Sequence, residues 1–235
     1  MRTKMIASDF IEKFAAGLDE GLSAATKLPF MLTVLRNGGA ESVLRGVVLG
    51  ELERATRCLA FSVAENMRVD AVLREVPDGR PAAFIEFKHN FIGQRSSEIQ
   101  SSTAKAKTQL DGSVASFMKA GSPVGENPPL AIYIHFFVSL GVADEDVVLS
   151  KLHNAHVRTS YKKFTRMTKL EQCYEETERA FGIAKAFRNY PVDAPEGLVC
   201  SLDCWAFTVE QGSLQPISLN REWPVHSQGL CVASI

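Results

Sequence analysis

Residues 68–73 read RVDAVL and, across a turn at Pro77-Asp78-Gly79, residues 83–88 read AFIEFK. Both runs have the apolar and aromatic content of core strands, yet Asp70, Glu86 and Lys88 are set into them. Side chains alternate along a strand, so Phe84, Glu86 and Lys88 share one face of the second run, and Ile85 and Phe87 the other. In the first run Val69, Ala71 and Leu73 fall on one face, and Asp70, Val72 and Arg74 on the other. The turn joins the runs as a hairpin, and one register of that hairpin sets Asp70 across from Glu86 and Lys88. Two carboxylates converging on one point repel unless a cation lies between them, and buried charge is costly unless paired. A hard divalent cation such as Mg2+ answers both problems, because it takes oxygen ligands and keeps several waters.

Upstream, apolar residues recur at helical spacing from Ile6 to about Ala25, and the run LPFMLTVL follows Lys27, which predicts two N-terminal helices. Asn37-Gly38-Gly39 stops the chain, and a third helix is expected from about Glu41 to Arg57. Its stripe is Leu44, Val47, Val48, Leu52 and Ala55; Glu51 falls within the stripe, whereas Glu53 points to a flank. Leu59 to Val63, Val69 to Val76 and Ala82 to Lys88 are strand signals. After the polar segment 90–102 comes a helix with the stripe Ile99, Thr103, Ala106, Leu110, Val114 and Phe117, ended by Gly121. Pro128-Pro129 then leads into LAIYIHFFVSL, the most apolar run and a central strand. The order helix, three strands, helix, strand describes an α/β (α+β) layer: a mixed sheet flanked by helices. Residues 144–188 read as mostly helical, and Leu198–Val209 with Leu214–Leu219 read as a closing strand pair around Gln211-Gly212.

With 235 residues, 46% hydrophobic and 23% charged, the composition is that of an ordinary globular chain, and one domain is the expectation. The net charge of −1 leaves any polyanionic partner to a local basic patch. Asp9 and Glu12 interrupt the place of a signal-peptide core, and no segment reaches the length of a membrane span, so a cytoplasmic location with no membrane contact is expected. Cys58, Cys173, Cys200, Cys204 and Cys231 are an odd, scattered set that suits reduced thiols. Cys200 and Cys204 alternate onto one apolar strand face, and no Cys or His pair completes a zinc set with them.

Asp70, then Glu86-Phe87-Lys88 across a hairpin, with Glu51 on the preceding helix and the order αβββαβ, resembles the PD-(D/E)xK nuclease superfamily. Val69 stands at the family's nominal Pro. The resemblance covers roughly Glu41 to Leu140. It implies a restriction-endonuclease-like core over 39–140 and says nothing about either end; the helices over 1–38 and the helical and strand elaboration over 141–235 rest on the residue pattern alone. It further implies that Asp70, Glu86 and the Phe87 carbonyl hold Mg2+, with Mn2+ as a substitute. Lys88 would orient or help deprotonate the attacking water, Glu51 would be the accessory acid, and Gln109 or Lys105 on the next helix would approach the site. The implied activity is a metal-dependent endonuclease acting on DNA, double-stranded DNA favoured and RNA left open. Restriction, phage defence, recombination and repair all use such chemistry. A homodimer would meet two-strand cleavage by two-fold symmetry. The competing reading is a non-catalytic nucleic-acid-binding or protein-interaction module on the same fold.

From Ser150 to Lys169 there is no acid, while Lys151, Arg158, Lys162, Lys163, Arg166 and Lys169 accumulate around Tyr161 and Phe164. Such a run either supplies phosphate contacts or is a solvated helix face. The polar segment after Lys88, with Gln94 and Arg95, is placed to form a substrate-side loop. His135, inside an apolar strand, reads as a satisfied core histidine. His153 and His156 lie three apart, with no third ligand evident.

Overall fold

A computed structural model describes residues 2–37, 40–62, 69–76, 78–93, 95–120, 128–142, 165–182, 187–210 and 212–219. Helices α1 (Arg2–Thr26), α2 (Met31–Asn37) and α3 (Ala40–Thr56) precede strands β1 (Cys58–Ser62), β2 (Ala71–Glu75) and β3 (Pro81–Phe91). Helix α4 (Ser96–Lys119) leads to β4 (Leu130–Val142). The short β5 (Thr165–Arg166), a 3-10 turn, α5 (Leu170–Phe181), β6 (Phe187–Val192), β7 (Leu198–Glu210) and β8 (Ser213–Pro216) follow. The helix, three strands, helix, strand order expected after Gly39 is therefore the order found, and the fold is mixed α/β.

The strands form one mixed sheet in the order β1-β2-β3-β4-β7-β6, with β5 beside β4 and β8 beside β7. Pairing is antiparallel except at β3–β4 and β4–β5. The parallel β3–β4 pair requires a crossover, which α4 supplies. Alternation then divides the interior in two. Ile85 and Phe87 of β3 join Ile132, Ile134 and Phe136 of β4 in a core closed by Phe14, Leu18 and Leu22 of α1 and by Leu44, Val48 and Leu52 of α3. Phe84, Tyr133, Phe137, Trp205 and Phe207 face the other way, under Ile99, Ala106 and Leu110 of α4 and Phe181 of α5. Strand β4 is buried on both faces, which is why its sequence is an unbroken apolar run.

Helices α1 and α3 pack at close range. A Cβ added at Gly17 would stand 2.8 Å from the Ala55 Cβ, and one at Gly21 would stand 2.9 Å from the Val48 Cα. Glycine at both positions is what lets α1 and α3 approach this closely.

Three expectations are corrected. Val69 packs with the α4 side of the sheet, not with Ala71 and Leu73, because the backbone bends at residues 69–70 before the β2 ladder begins at Ala71. The helical reading to Arg188 ends early: α5 stops after Phe181, where Gly182 takes φ 71° and closes the helix. Phe187 and Arg188 open an unforeseen edge strand, β6, whose Pro191 is tolerated because, among the described residues, β7 alone pairs with it. The closing strand pair is found as β7 and β8. No helix among the described residues is long and apolar enough to cross a membrane.

Candidate functional site

The hairpin register pairs Ala71 with Ile85 and Val72 with Phe84. The ladder begins there, with Asp70 in the bend just before it, while Glu86 and Lys88 share one face of β3 by alternation. The junction is pinned by the backbone: the Asp70 N–H donates to the Ile85 carbonyl at 3.1 Å, and the Phe87 N–H donates to Asp70 Oδ2 at 2.8 Å. A strand residue's N–H and C=O point to the same neighbour, so the Phe87 carbonyl also faces the Asp70 end of β2. Asp70 is close enough to Glu86 for its charge to raise the Glu86 carboxyl, and the Lys88 ammonium donates to Glu86 Oε1. Asp70, Glu86, Phe87 and Lys88 therefore come together.

Glu86 is only 2% exposed. Burial pushes its carboxyl up to about 7; Lys88 opposes that rise and Asp70 adds to it. Glu86 Oε2 is buried and receives no donor. Asp70 is held on its other side by Arg45 of α3, with Nη1 3.2 Å from Asp70 Oδ1. Arg45 Nη2 donates to Glu41 Oε1 at 3.0 Å, one helical turn earlier. Sequence reasoning missed Arg45. The Glu41–Arg45 spacing of an i,i+4 ion pair was visible, but nothing local says that the guanidinium reaches a strand 25 residues downstream (70 − 45 = 25).

Glu51 does not join the group. It pairs with Arg54, at 2.7 Å, and Arg54 also holds Glu20 of α1. The stripe that contains Glu51 serves two neighbours, and this residue faces the α1 seam rather than the sheet. On α4, Gln109 is half-buried and Lys105 exposed, and neither side chain hydrogen-bonds to Asp70, Glu86 or Lys88. Arg95 is exposed at the start of α4. Arg166 is half-buried in β5 and Lys169 is exposed, while Lys151, His153, His156, Arg158, Lys162 and Lys163 lie outside the described residues, as does Gln94. His135 is fully buried and satisfied: Nδ1 lies 2.6 Å from the Tyr133 hydroxyl and Nε2 2.6 Å from Asn90 Oδ1. Burial, then the charges of His89 and Lys88, hold the imidazole well below its ordinary range, so it is neutral.

Among the described residues no group of three or more His, Cys, Asp or Glu side chains gathers as a metal cluster. Mg2+, however, is commonly bound through one or two carboxylates with waters and substrate phosphate oxygens completing its shell. The unpartnered Oε2 of Glu86 beside the Asp70 carboxylate is such a donor pair, so the residues fit a hard cation. No protein-family model, curated protein or solved structure matches the chain.

A second carboxylate in a core strand, Asp203 of β7, also escaped the sequence reading, although LVCSLDCWAFTV breaks its apolar run in the same way as IEF. Asp203 is fully buried and accepts hydrogen bonds from Ser139 at 2.5 Å, Asn189 at 2.5 Å, Tyr174 at 3.1 Å and Ser201 at 3.5 Å. Burial raises its carboxyl to about 6, against the opposing pull of these donors. Its folded value is above its unfolded value, so its contribution to stability is complete below about 3.8 and is lost as pH rises through about 6. Asp203→Asn keeps acceptor and donor atoms for the same partners. Its stability relative to the wild type is expected to improve by on the order of 2–3 kcal/mol between pH 4 and pH 7.5, read from urea midpoints. A difference that does not move with pH would show that Asp203 does not titrate in this range.

Proposed function

We propose that the protein is a divalent-cation-dependent nuclease that hydrolyses DNA phosphodiester bonds. The observation that carries the proposal is Glu86, a buried carboxylate with one oxygen on Lys88 and the other without a donor, beside the carboxylate of Asp70. A folded chain rarely retains such a group without a use, since an apolar residue in its place would cost less. The αβββαβ order of α3 to β4, the place of Glu86 and Lys88 on β3 and that of Asp70 just before β2 agree with a restriction-endonuclease-like core.

Asp70 and Glu86 would hold Mg2+ or Mn2+, with the Phe87 carbonyl facing the same edge. A cation bound there supplies charge neutralisation on the phosphoryl oxygens and lowers the pKa of a water molecule. The backbone bond from Phe87 fixes the Asp70 carboxylate before substrate arrives, which is the preorganisation that catalysis needs. Lys88 is 26% exposed, so its ammonium can donate to an attacking water or a phosphate oxygen while anchored on Glu86. Glu51 has no part in this arrangement.

The test is incubation of the wild type, Asp70→Ala and Lys88→Ala with plasmid DNA in Mg2+, Mn2+ or EDTA. Metal-dependent cleavage that falls by on the order of 10²-fold or more in both variants is expected. Equal cleavage by all three proteins overturns the proposal. Binding of DNA without cleavage, unaffected by EDTA, would instead identify a non-catalytic binding module, a role in which Arg45 and Lys88 simply balance Asp70 and Glu86.

A further inference from the structure

We propose that Arg45 is an internal counterion which the divalent cation displaces from Asp70, and that the released guanidinium takes a phosphate oxygen of the nucleic acid. This inference rests on the nuclease reading of Asp70 and Glu86. Both oxygens of Asp70 are engaged: Oδ2 accepts from the Phe87 N–H at 2.8 Å, and Oδ1 lies 3.2 Å from Arg45 Nη1. A dication shared between Asp70 and Glu86 meets a guanidinium already on one of its ligands, and like charges at that range repel. The backbone bond to Oδ2 is fixed by the hairpin, so the side chain of Arg45 is the partner that can leave.

Arg45 has somewhere to go. Glu41, one turn earlier on α3, holds its Nη2 at 3.0 Å, so leaving Asp70 does not set the side chain adrift. Its Nε is buried and has no acceptor, while the side chain as a whole is 25% exposed and open to a ligand. A planar guanidinium with unused donors matches the oxygens of a phosphate. Charge points the same way. Before cation binding, Arg45 and Lys88 face Asp70, Glu86 and Glu41, one negative charge in excess; with a dication bound the pocket is one positive charge in excess, and a phosphodiester is the anion that would answer it.

Isothermal titration of the full chain with Mn2+ tests the exchange. Arg45→Met keeps the apolar stem and removes the competitor, and should bind Mn2+ roughly fivefold more tightly than the wild type. Glu41→Gln removes the alternative anchor and should weaken Mn2+ binding by a similar factor, whereas the tighter binding of Arg45→Met is the outcome that a merely damaged fold would not produce. Asp70→Asn separates the two readings. Wild-type Mn2+ binding that is absent, or unchanged in Asp70→Asn, overturns the cation site and the exchange with it. Binding that needs Asp70 but is no tighter in Arg45→Met overturns the exchange alone. The phosphate contact is read from fluorescence anisotropy of a short DNA duplex. Arg45→Met should weaken binding several-fold with Ca2+, which takes oxygen ligands, and leave it unchanged in EDTA, where Asp70 still holds Arg45. Equal weakening in both buffers would reduce Arg45 to an ordinary surface cation.

Discussion

Glu86→Gln is expected to remove cleavage and, in the same molecule, to make the cation-free protein more stable. The two effects have one cause. Glu86 is 2% exposed, the charge of Asp70 lies close enough to raise its carboxyl, and only one of its oxygens has a donor. Desolvating an ionised carboxylate costs several kcal/mol, of which Lys88 returns part, because Lys88 is itself partly in water. The amide keeps the shape, still accepts from Lys88, and ends the repulsion with Asp70. A gain of about 1–2 kcal/mol in the urea midpoint at pH 8 with EDTA is therefore expected. Cleavage should fall by on the order of 10³-fold, since an amide is a poor ligand for a hard cation and leaves the charge on the phosphoryl oxygens unmatched. A Glu86→Gln protein that is less stable at pH 8 would mean that the ion pair with Lys88 is structural, and the case for a functional site would lose its main support. Stability gained where activity is lost is the usual mark of a residue kept for function.

That mark was readable early because strand alternation needs only a period of two. Writing Phe84, Glu86 and Lys88 on one face and Ile85 and Phe87 on the other required no knowledge of the rest of the chain, and the two cores divide along those faces. The hairpin itself was also accessible from the Pro77-Asp78-Gly79 turn, but its ladder begins at Ala71, so alternation does not carry Asp70. What failed was whatever depended on a third element. Glu51 sits at a good helical position, but periodicity does not say whether a helix face meets the sheet or another helix, and here it meets α1. Arg45 escaped for the complementary reason: an intrahelical partner, Glu41, explained it locally and hid the contact with Asp70. Val69 shows the limit of alternation itself, which holds only where the ladder has begun. Asp203 was legible by the same rule that found Glu86; its partners Ser139, Tyr174 and Asn189 come from three other elements and were not.

Trp205→Ala is expected to cost about 3–5 kcal/mol, the largest stability loss of any single truncation in the sheet. Trp205 is fully buried on β7, with the Phe137 ring edge-on at 5.0 Å and the Phe181 ring tilted at 5.7 Å. Phe181 in turn meets Phe207 at 5.3 Å and His135 at 5.5 Å, so the last turn of α5 rests on a pavement of rings of which Trp205 is the largest. Alanine there removes transfer free energy and the ring contacts together, and flanking β-strands hold the backbone too firmly for the gap to close. For a chain of this size the loss corresponds to a melting temperature on the order of 10 °C lower. It should also be local before it is global. Tyr174, on the same helix, reaches across to Ser139 and Asp203, so loosening Phe181 should raise hydrogen exchange over Leu170–Phe181 and at Ser139 ahead of β2 and β3. Trp205 itself lies on β7, with β4 between it and Glu86 and Lys88 of β3, and cleavage per folded molecule should therefore persist. Trp205→Phe, which keeps an aromatic ring in place, is expected to recover more than half of the loss. An alanine variant as stable as the wild type would show that the aromatic cluster follows the packing of α5 instead of securing it.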